Sequence, residues 1–333
     1  MGTHVNGPSV LQDTGIPLIE TLGCTPLPYL FKVLSIAEPL SLQVHPDRTR
    51  ARVLHETFPK VYKDPNHKPE LAIALTPMWA LCSFRPVNDL LNMLQTHVPE
   101  MEKVVSNDSR ISFYHDATPL TLQDCFVSFM KSPTSDMEKA LTSIYNRLCT
   151  STPSGQEDIL VLKLLQKYPK DRGALAPYWL NSILLQPKEA MFIPANEPHA
   201  YLSGDCLECM ACSDNVVRAG LTSKFVDVDT LLDILSYKMG PPTFLKSEKI
   251  DQVIRRYNPP VEEFVVDWME LKTINGSYSV PCPTPSLLLV LSGEGEITDG
   301  PNLAKGQIYY FSQPFVCSTS SELVMVRAMV APQ

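Results

Sequence analysis

Gln43 and His45 stand two residues apart in Leu40-Ser41-Leu42-Gln43-Val44-His45, a run that alternates apolar and polar. A β-strand sends successive side chains to opposite faces, so Ser41, Gln43 and His45 share one face and Leu40, Leu42 and Val44 the other. An amide and an imidazole beside a hydroxyl on one strand face suit a divalent ion held inside a barrel. Pro46 ends the strand, because proline offers no N–H to the ladder. Two more donors stand further along the chain: Glu70 in His67-Lys68-Pro69-Glu70, and His199 in Pro194-Ala195-Asn196-Glu197-Pro198-His199-Ala200-Tyr201. Two imidazoles, a carboxylate and an amide suit catalytic zinc or non-haem iron. A neutral glutamine leaves the ion net positive and a good Lewis acid.

Spacing alone leaves the structural alternatives open. Gln-x-His is common on strands, Glu70 is by default a solvated strand-end carboxylate, and a histidine after proline is commonly a turn residue. Cys206, Cys209 and Cys212 stand at the spacing of a structural zinc half-site. No partner Cys-x-x-Cys lies nearby, so they are expected to be buried, inert thiols.

The elements that must position these residues are legible in outline. Leu30 to Ile36 and Leu40 to His45 read as strands, Asp47 to Phe58 as a short helix, and Glu70 to Thr76 as a third strand. That third strand places Leu71, Ile73 and Leu75 on one face and Glu70, Ala72 and Ala74 on the other. From Pro86 to about Leu175 the pattern is helical. Asn88 is the expected cap of one helix, Ser135 and Glu138 form a capping box for another, and Ile159, Leu162 and Leu165 mark a helical face. Strands return at Leu180 to Leu185 and Ala190 to Ile193, and Asp229 is expected to cap one further helix. Ser286 to Ser292, Gly295 to Thr298, Gln307 to Phe311 and Leu323 to Val330 read as strands between turns, which points to a sandwich or barrel.

The 333 residues are enough for two or three domains. A net charge of −8 and a pI near 5.4 argue against nucleic acid as the main partner. They leave room for a small anion met by a few converging cations. Nine cysteines without a small secreted scaffold fit reduced thiols and a cytoplasmic protein. No apolar run suggests a membrane span. No basic segment followed by an apolar core suggests a secretory signal. No heptad or apolar seam suggests an oligomer, so a monomer is expected.

Several longer motifs carry a specific resemblance. Leu30-Phe31-Lys32-Val33-Leu34-Ser35, Leu40 to Asp47, Asn66-His67-Lys68-Pro69-Glu70, Ala74-Leu75-Thr76-Pro77 and Phe84-Arg85-Pro86 occur in order. Asn196 to Tyr201 and Ser213 to Thr222 follow them. Together they resemble type I phosphomannose isomerases from about residue 29 to the C-terminus.

The resemblance implies a mainly β fold with a helical insertion: a zinc-bearing cupin catalytic domain (29–86 and 176–245), a helical domain (87–175) and a C-terminal jelly roll (246–333). Residues 1–28 are then an atypical, poorly patterned N-terminus. The implied reaction interconverts mannose 6-phosphate and fructose 6-phosphate through a cis-enediol, feeding GDP-mannose and glycan synthesis. The implied ligands of one Zn²⁺ per chain are Gln43, His45, Glu70 and His199. The catalytic arginine falls on Arg218, and further pocket positions on Ser41, Lys68, Glu208, Asp214, Lys224 and Lys32. Lys68 is two residues from Glu70, so both could face the ion on an extended segment, with His67 turned away. Lys68, His67 and Asp214 are the rival proton carriers, and Ser41, Lys224 and Lys32 the groups for the phosphate. Glu208 would support the site from behind or simply form part of a strand.

One departure stands out. The family's Tyr-Ala-Trp-Gly-like opening is not found, and Met1-Gly2-Thr3-His4 reads like an internal family segment. The chain is thus read as an N-terminally shortened form whose pocket has lost part of a wall. Two readings compete with the zinc isomerase. One is an iron oxygenase using His45, Glu70 and His199 as a facial triad. The other is a non-catalytic or weakly active chain that keeps the metal site.

Overall fold

The computed structural model describes residues 1–272 and 276–332; residues 273–275 and 333, within the expected C-terminal unit, lie outside the described residues. Strand residues that alternate between two apolar environments build the first sheet. Its nine strands are β1 (Tyr29–Ile36), β2 (Leu42–Val44), β3 (Glu70–Ala74), β4 (Met78–Phe84), β5 (Leu180–Leu185), β6 (Ala190–Ile193), β7 (His199–Ala211), β8 (Val217–Gly220) and β9 (Thr243–Leu245). All their pairings are antiparallel. The sheet curls into a half-barrel of the expected cupin type around Ala72, Ala74, Ala80, Cys82, Ile193 and Tyr201.

The alternation expected on β3 holds. Ala72 and Ala74 point inward, while Leu71 and Ile73 point outward into a second core. That second core is shared with Phe264, Val266, Trp268, Leu287 and Val326 of the C-terminal β-structure. There, the strands Val265–Lys272, Ser286–Ser292 and Glu322–Met329 belong to a six-stranded sheet, which a four-stranded sheet accompanies. On the opposite side, Leu42, Val44, Ala200, Leu202 and Val217 pack into the core of the helical segment. Phe84, Phe126, Phe129 and Trp179 meet there ring against ring. Each fully buried aromatic of this kind contributes about 1.5–3 kcal/mol by leaving water.

β7 is the spine of the sheet. Residues 199–203 pair with β4, and residues 204–211 pair with β1 and β3. At the changeover Trp79 faces Ser203 while Ala80 faces Tyr201, a bulge that adds one residue to β7. Tyr201 points inward before the bulge, and Cys206 points inward after it. The inward parity therefore changes from odd to even. Gly204 sits at this corner with φ of +106°. A Cβ there would lie 2.6 Å from Pro77 O and 2.7 Å from Met78 Cα, so glycine is required.

Several expectations need correction. β2 spans Leu42–Val44 only: Leu40 is 40% exposed, and its N–H bonds Tyr201 O before the strand begins. Asn88 lies inside the helix Val87–Asn92, whose cap position is Pro86. Ser135 and Glu138 lie inside Thr134–Thr150, which starts after Pro133. In both, the extended backbone that proline favours starts the helix without a side-chain cap. The capping box that does form joins Thr118 and Thr121 ahead of Pro119–Met130. Asp227, not Asp229, caps Val228–Ile234, accepting from Thr230 N. In Gln156–Lys167 the buried stripe is Leu160, Val161, Leu164 and Leu165, while Ile159 is exposed. Cys206 and Cys209 are buried, but Cys212 is half-buried; all nine cysteines are free thiols. No helix among the described residues is long and apolar enough to cross a membrane.

Candidate metal centre

Four antiparallel pairings bring the donors together. Gln43 of β2 pairs with His199 at the start of β7 on one side and with Arg218 of β8 on the other. Glu70 opens β3 and pairs with Met210 of β7 and Ile193 of β6. His45 follows β2 directly. Ligand atoms of His45, Glu70 and His199 all lie within 4.8 Å of one another, and the three side chains are fully buried. Among the described residues this is the one such cluster of histidine, cysteine and carboxylate groups.

Each donor is oriented by a neighbour. His45 Nδ1 lies 2.6 Å from Asn215 O, and His199 Nδ1 lies 3.0 Å from Glu197 O. Carbonyls only accept, so both rings carry their proton on Nδ1 and turn Nε2 to the centre. His45 Nε2 is 3.1 Å from Glu70 Oε1, and His199 Nε2 is 3.5 Å from Glu70 Oε2. The His45–Glu70 approach lacks hydrogen-bond alignment, so His45 Nε2 is a buried nitrogen without a hydrogen-bond partner. Burial, helped by Lys68, pushes His45 down to about 4, which keeps it neutral. For Glu70 burial works toward the acid form, but the Lys68 ammonium beside it prevails and holds it well below the usual carboxylate range.

These residues fit a zinc ion. A metal is the partner that the orphaned His45 Nε2 lacks, and two neutral imidazoles, a carboxylate and an amide oxygen form a zinc donor set. Gln43 presents Nε2 at 3.2 Å from His199 Nε2, while its Oε1 accepts from Ser41 Oγ at 3.0 Å. Turning the amide over exchanges the two atoms, and Ser41 can then accept instead of donate.

The other expected residues divide into two groups. Lys68 Nζ lies 3.1 Å from Glu70 Oε1, at the edge of the cluster, and is 8% exposed. Arg218 is half-buried, burial pushes its guanidinium below its ordinary value, and no carboxylate pairs with it among the described residues. Lys32 bonds Glu208 Oε2 at 2.8 Å across the β1–β7 pairing. Burial alone would lower Lys32, but Glu208 outweighs it and raises it. His67, by contrast, turns away: its Nε2 lies 2.6 Å from Glu263 Oε1, and Arg48 bonds the same carboxylate. Asp214 is exposed and meets Asn6 Nδ2 at 3.0 Å and His4 Nε2 at 3.4 Å. Lys224 is exposed in the loop after β8.

Two partners escaped the sequence reading. Tyr201 OH reaches Glu70 Oε2 at 3.5 Å, and its position two residues after His199 signals a shared strand face. Asn215, whose carbonyl orients His45, acts through its backbone, which no side-chain pattern reveals.

The catalytic-domain model of type I phosphomannose isomerase matches residues 1–87, and the helical insertion domain model matches residues 94–180. The first match corrects the extent expected for the resemblance, since it begins ahead of residue 29. Mannose-6-phosphate isomerase 1 of Arabidopsis thaliana is 41% identical over 326 residues, covering 90% of this chain and 75% of the relative. Mannose-6-phosphate isomerase of Macaca fascicularis is 42% identical, covering 88% and 77%. Among solved structures, a variant of phosphomannose isomerase from Salmonella typhimurium superposes with a TM-score of 0.88 at 28% identity, covering 99% of this chain and 90% of that one. A mannose 6-phosphate isomerase bound with zinc and yttrium gives a TM-score of 0.87, also at 28% identity, with the same coverage. A buried His–Glu–His cluster in a cupin half-barrel with a helical insertion, and relatives of this identity and extent, together establish that the chain belongs to the type I phosphomannose isomerase family.

Proposed function

We propose that this chain interconverts D-mannose 6-phosphate and D-fructose 6-phosphate with one zinc ion per chain, held by Gln43, His45, Glu70 and His199. The observation that carries the reading is the buried His45–Glu70–His199 cluster with Lys68 at its edge and an uncommitted Arg218 on the neighbouring strand. When bound, zinc supplies Lewis acidity toward the sugar oxygens on which negative charge develops.

The chain's own residues do the rest. After ring opening, Lys68 Nζ takes the C2 proton and returns a proton to C1, while a hydroxyl proton passes from O2 to O1. This balances the aldose against the ketose through a cis-enediol. Lys68 is favoured over its rivals by direction, because His67 is held by Glu263 and Asp214 by His4 and Asn6. Arg218, with its fork of donors and no carboxylate of its own, stabilises the enediolate. Lys224 and Ser41 receive the phosphate, and the Lys32–Glu208 pair lines the sugar path. The three-domain division at 29–86 with 176–245, 87–175 and 246–333 belongs to the same reading. So do a monomeric state, a cytoplasmic location and a role in supplying GDP-mannose for protein glycosylation.

A coupled isomerase assay on the zinc-loaded chain tests it, with the Gln43→Ala/His199→Ala double variant as control. Turnover of mannose 6-phosphate that disappears in the control and on chelation supports the reading. A folded chain that holds one zinc and turns nothing over replaces it with a non-catalytic metal-binding role. Oxygen uptake with bound iron would favour the oxygenase instead.

A further inference from the structure

Asp64 is neither a candidate metal ligand nor a candidate proton carrier, yet it sits where three parts of the centre meet. Its Oδ1 accepts from Asn66 N at 2.9 Å, Ser213 Oγ at 2.9 Å and Asn215 Nδ2 at 3.3 Å. Its Oδ2 accepts from Asp214 N at 2.7 Å. Asn215 Nδ2 also bonds the backbone carbonyls of Asp64 at 2.7 Å and Asn66 at 2.8 Å. The Asn66 side chain returns the link by donating to Cys212 O at 3.1 Å. No cation pairs with Asp64 among the described residues, so its charge is met entirely by N–H and O–H donors.

The consequence is geometric. Segment 64–70 carries Lys68 and Glu70, and segment 212–218 carries Asp214 and Arg218. The Asp64 carboxylate is the clasp between them. Through Asn215 the clasp also reaches His45, whose Nδ1 donates to the Asn215 carbonyl. We propose that Asp64 is a positioning residue, which fixes Lys68, Glu70 and His45 relative to Arg218 through Ser213, Asp214 N and Asn215. The proposal deepens the isomerase reading and rests on it for the kinetic effect, whereas its effect on metal retention is independent of turnover.

Asp64→Asn is the informative variant because it keeps the shape. One carboxylate oxygen faces the N–H of Asn66 and the other the N–H of Asp214, so either orientation of the new amide sets its NH₂ against a backbone N–H. We expect kcat to fall about 10–100-fold with KM changed much less, and zinc to be lost to a chelator about tenfold faster. The visible spectrum of the cobalt(II)-substituted chain should shift as the ligand field distorts. Ser213→Ala, which removes one donor without touching charge, should move the same readouts in the same direction by less, and serves if Asp64→Asn does not fold. Asp158→Asn, a buried carboxylate of the helical segment, should lower thermal stability and leave the cobalt spectrum alone. Wild-type kcat, zinc release and spectrum in folded Asp64→Asn, or in folded Ser213→Ala where the first variant is unfolded, overturn the proposal. So does a loss of activity matched by the unfolded fraction while the folded remainder keeps the wild-type spectrum. If the wild-type chain shows no turnover, the isomerase reading fails, and metal release and the spectrum still decide Asp64.

Discussion

His67 and Lys68 are adjacent in sequence and serve opposite sides of their segment. Lys68 Nζ points to Glu70 at 3.1 Å, while His67 Nε2 points to Glu263 at 2.6 Å. Pro69 biases Lys68 toward extended backbone, which turns neighbouring side chains to opposite sides, and the division makes the proton carrier testable. Lys68→Ala is expected to reduce kcat by about 10²–10⁴-fold and to abolish solvent-deuterium incorporation at C2 of the substrate. His67→Ala should retain incorporation. Exchange that persists without Lys68 would remove it as the sole base.

The Glu263 end of the same pair predicts an acid-limb effect. Burial opposes ionisation of Glu263, but the hydrogen bond from His67 and the nearby Arg48 prevail and hold it below its ordinary value. A depressed carboxylate contributes stability that is complete above its unfolded value of 4.5 and is lost as pH falls through the lower folded value. Denaturant unfolding from pH 6 to 3 should therefore show a shallower acid slope in Glu263→Gln than in wild type. Equal slopes would show that the Glu263 contacts do not couple to folding.

Arg218 is expected to act in the transition state, since it stands beside Gln43 with no carboxylate of its own. Arg218→Lys keeps the charge and loses the fork. Its kcat should fall about 10²-fold with KM changed less, as for removal of an oxyanion donor. A rise in KM with unchanged kcat would instead assign Arg218 to ground-state phosphate binding.

Metal removal should be visible without substrate. A ligand that binds only the folded chain adds about 3–4 kcal/mol at 100–1,000 times its Kd. Zinc should therefore raise the melting temperature of the chelated protein, and Gln43→Ala should blunt the rise. An unchanged melting temperature in Gln43→Ala would remove Gln43 from the ligand set.

Gly204 offers a test of the fold itself. Gly204→Val places a branched side chain against Pro77 O and Met78 at a positive φ. The expected cost is about 2–5 kcal/mol, measured by denaturant unfolding. A smaller loss would mean that the β7 corner adapts.

What could be read from the sequence follows a physical boundary. Strand parity placed Gln43 with His45 and Glu70 with Ala72, because each strand has one face toward the barrel interior. β7 carries no alternating signal because it is buried on both faces for much of its length and interrupted by Ser203, Gly204 and Asp205, so His199 could be nominated as a donor but not placed on a strand beside Gln43. Helix starts were displaced by two residues wherever a proline or an earlier aspartate supplied the entry geometry, as at Pro133 and Asp227. The direction of Asp214 depends on His4 and Asn6, more than two hundred residues away in the chain, and no local pattern records such a partner.

The bulge at Ser203 has a consequence for how this enzyme family's chemistry can be separated into parts. His199 is odd-numbered, like the inward Tyr201, and faces the cluster with Glu70, whereas Glu208 is even-numbered, like the inward Cys206, and bonds Lys32. One extra residue reconciles the two. Deleting a single residue there would leave His199 beside Gln43 and turn Glu208 to the outer face. The His199 end of β7 and the Lys32–Glu208 pair thus share one strand and are kept in phase by one residue's count.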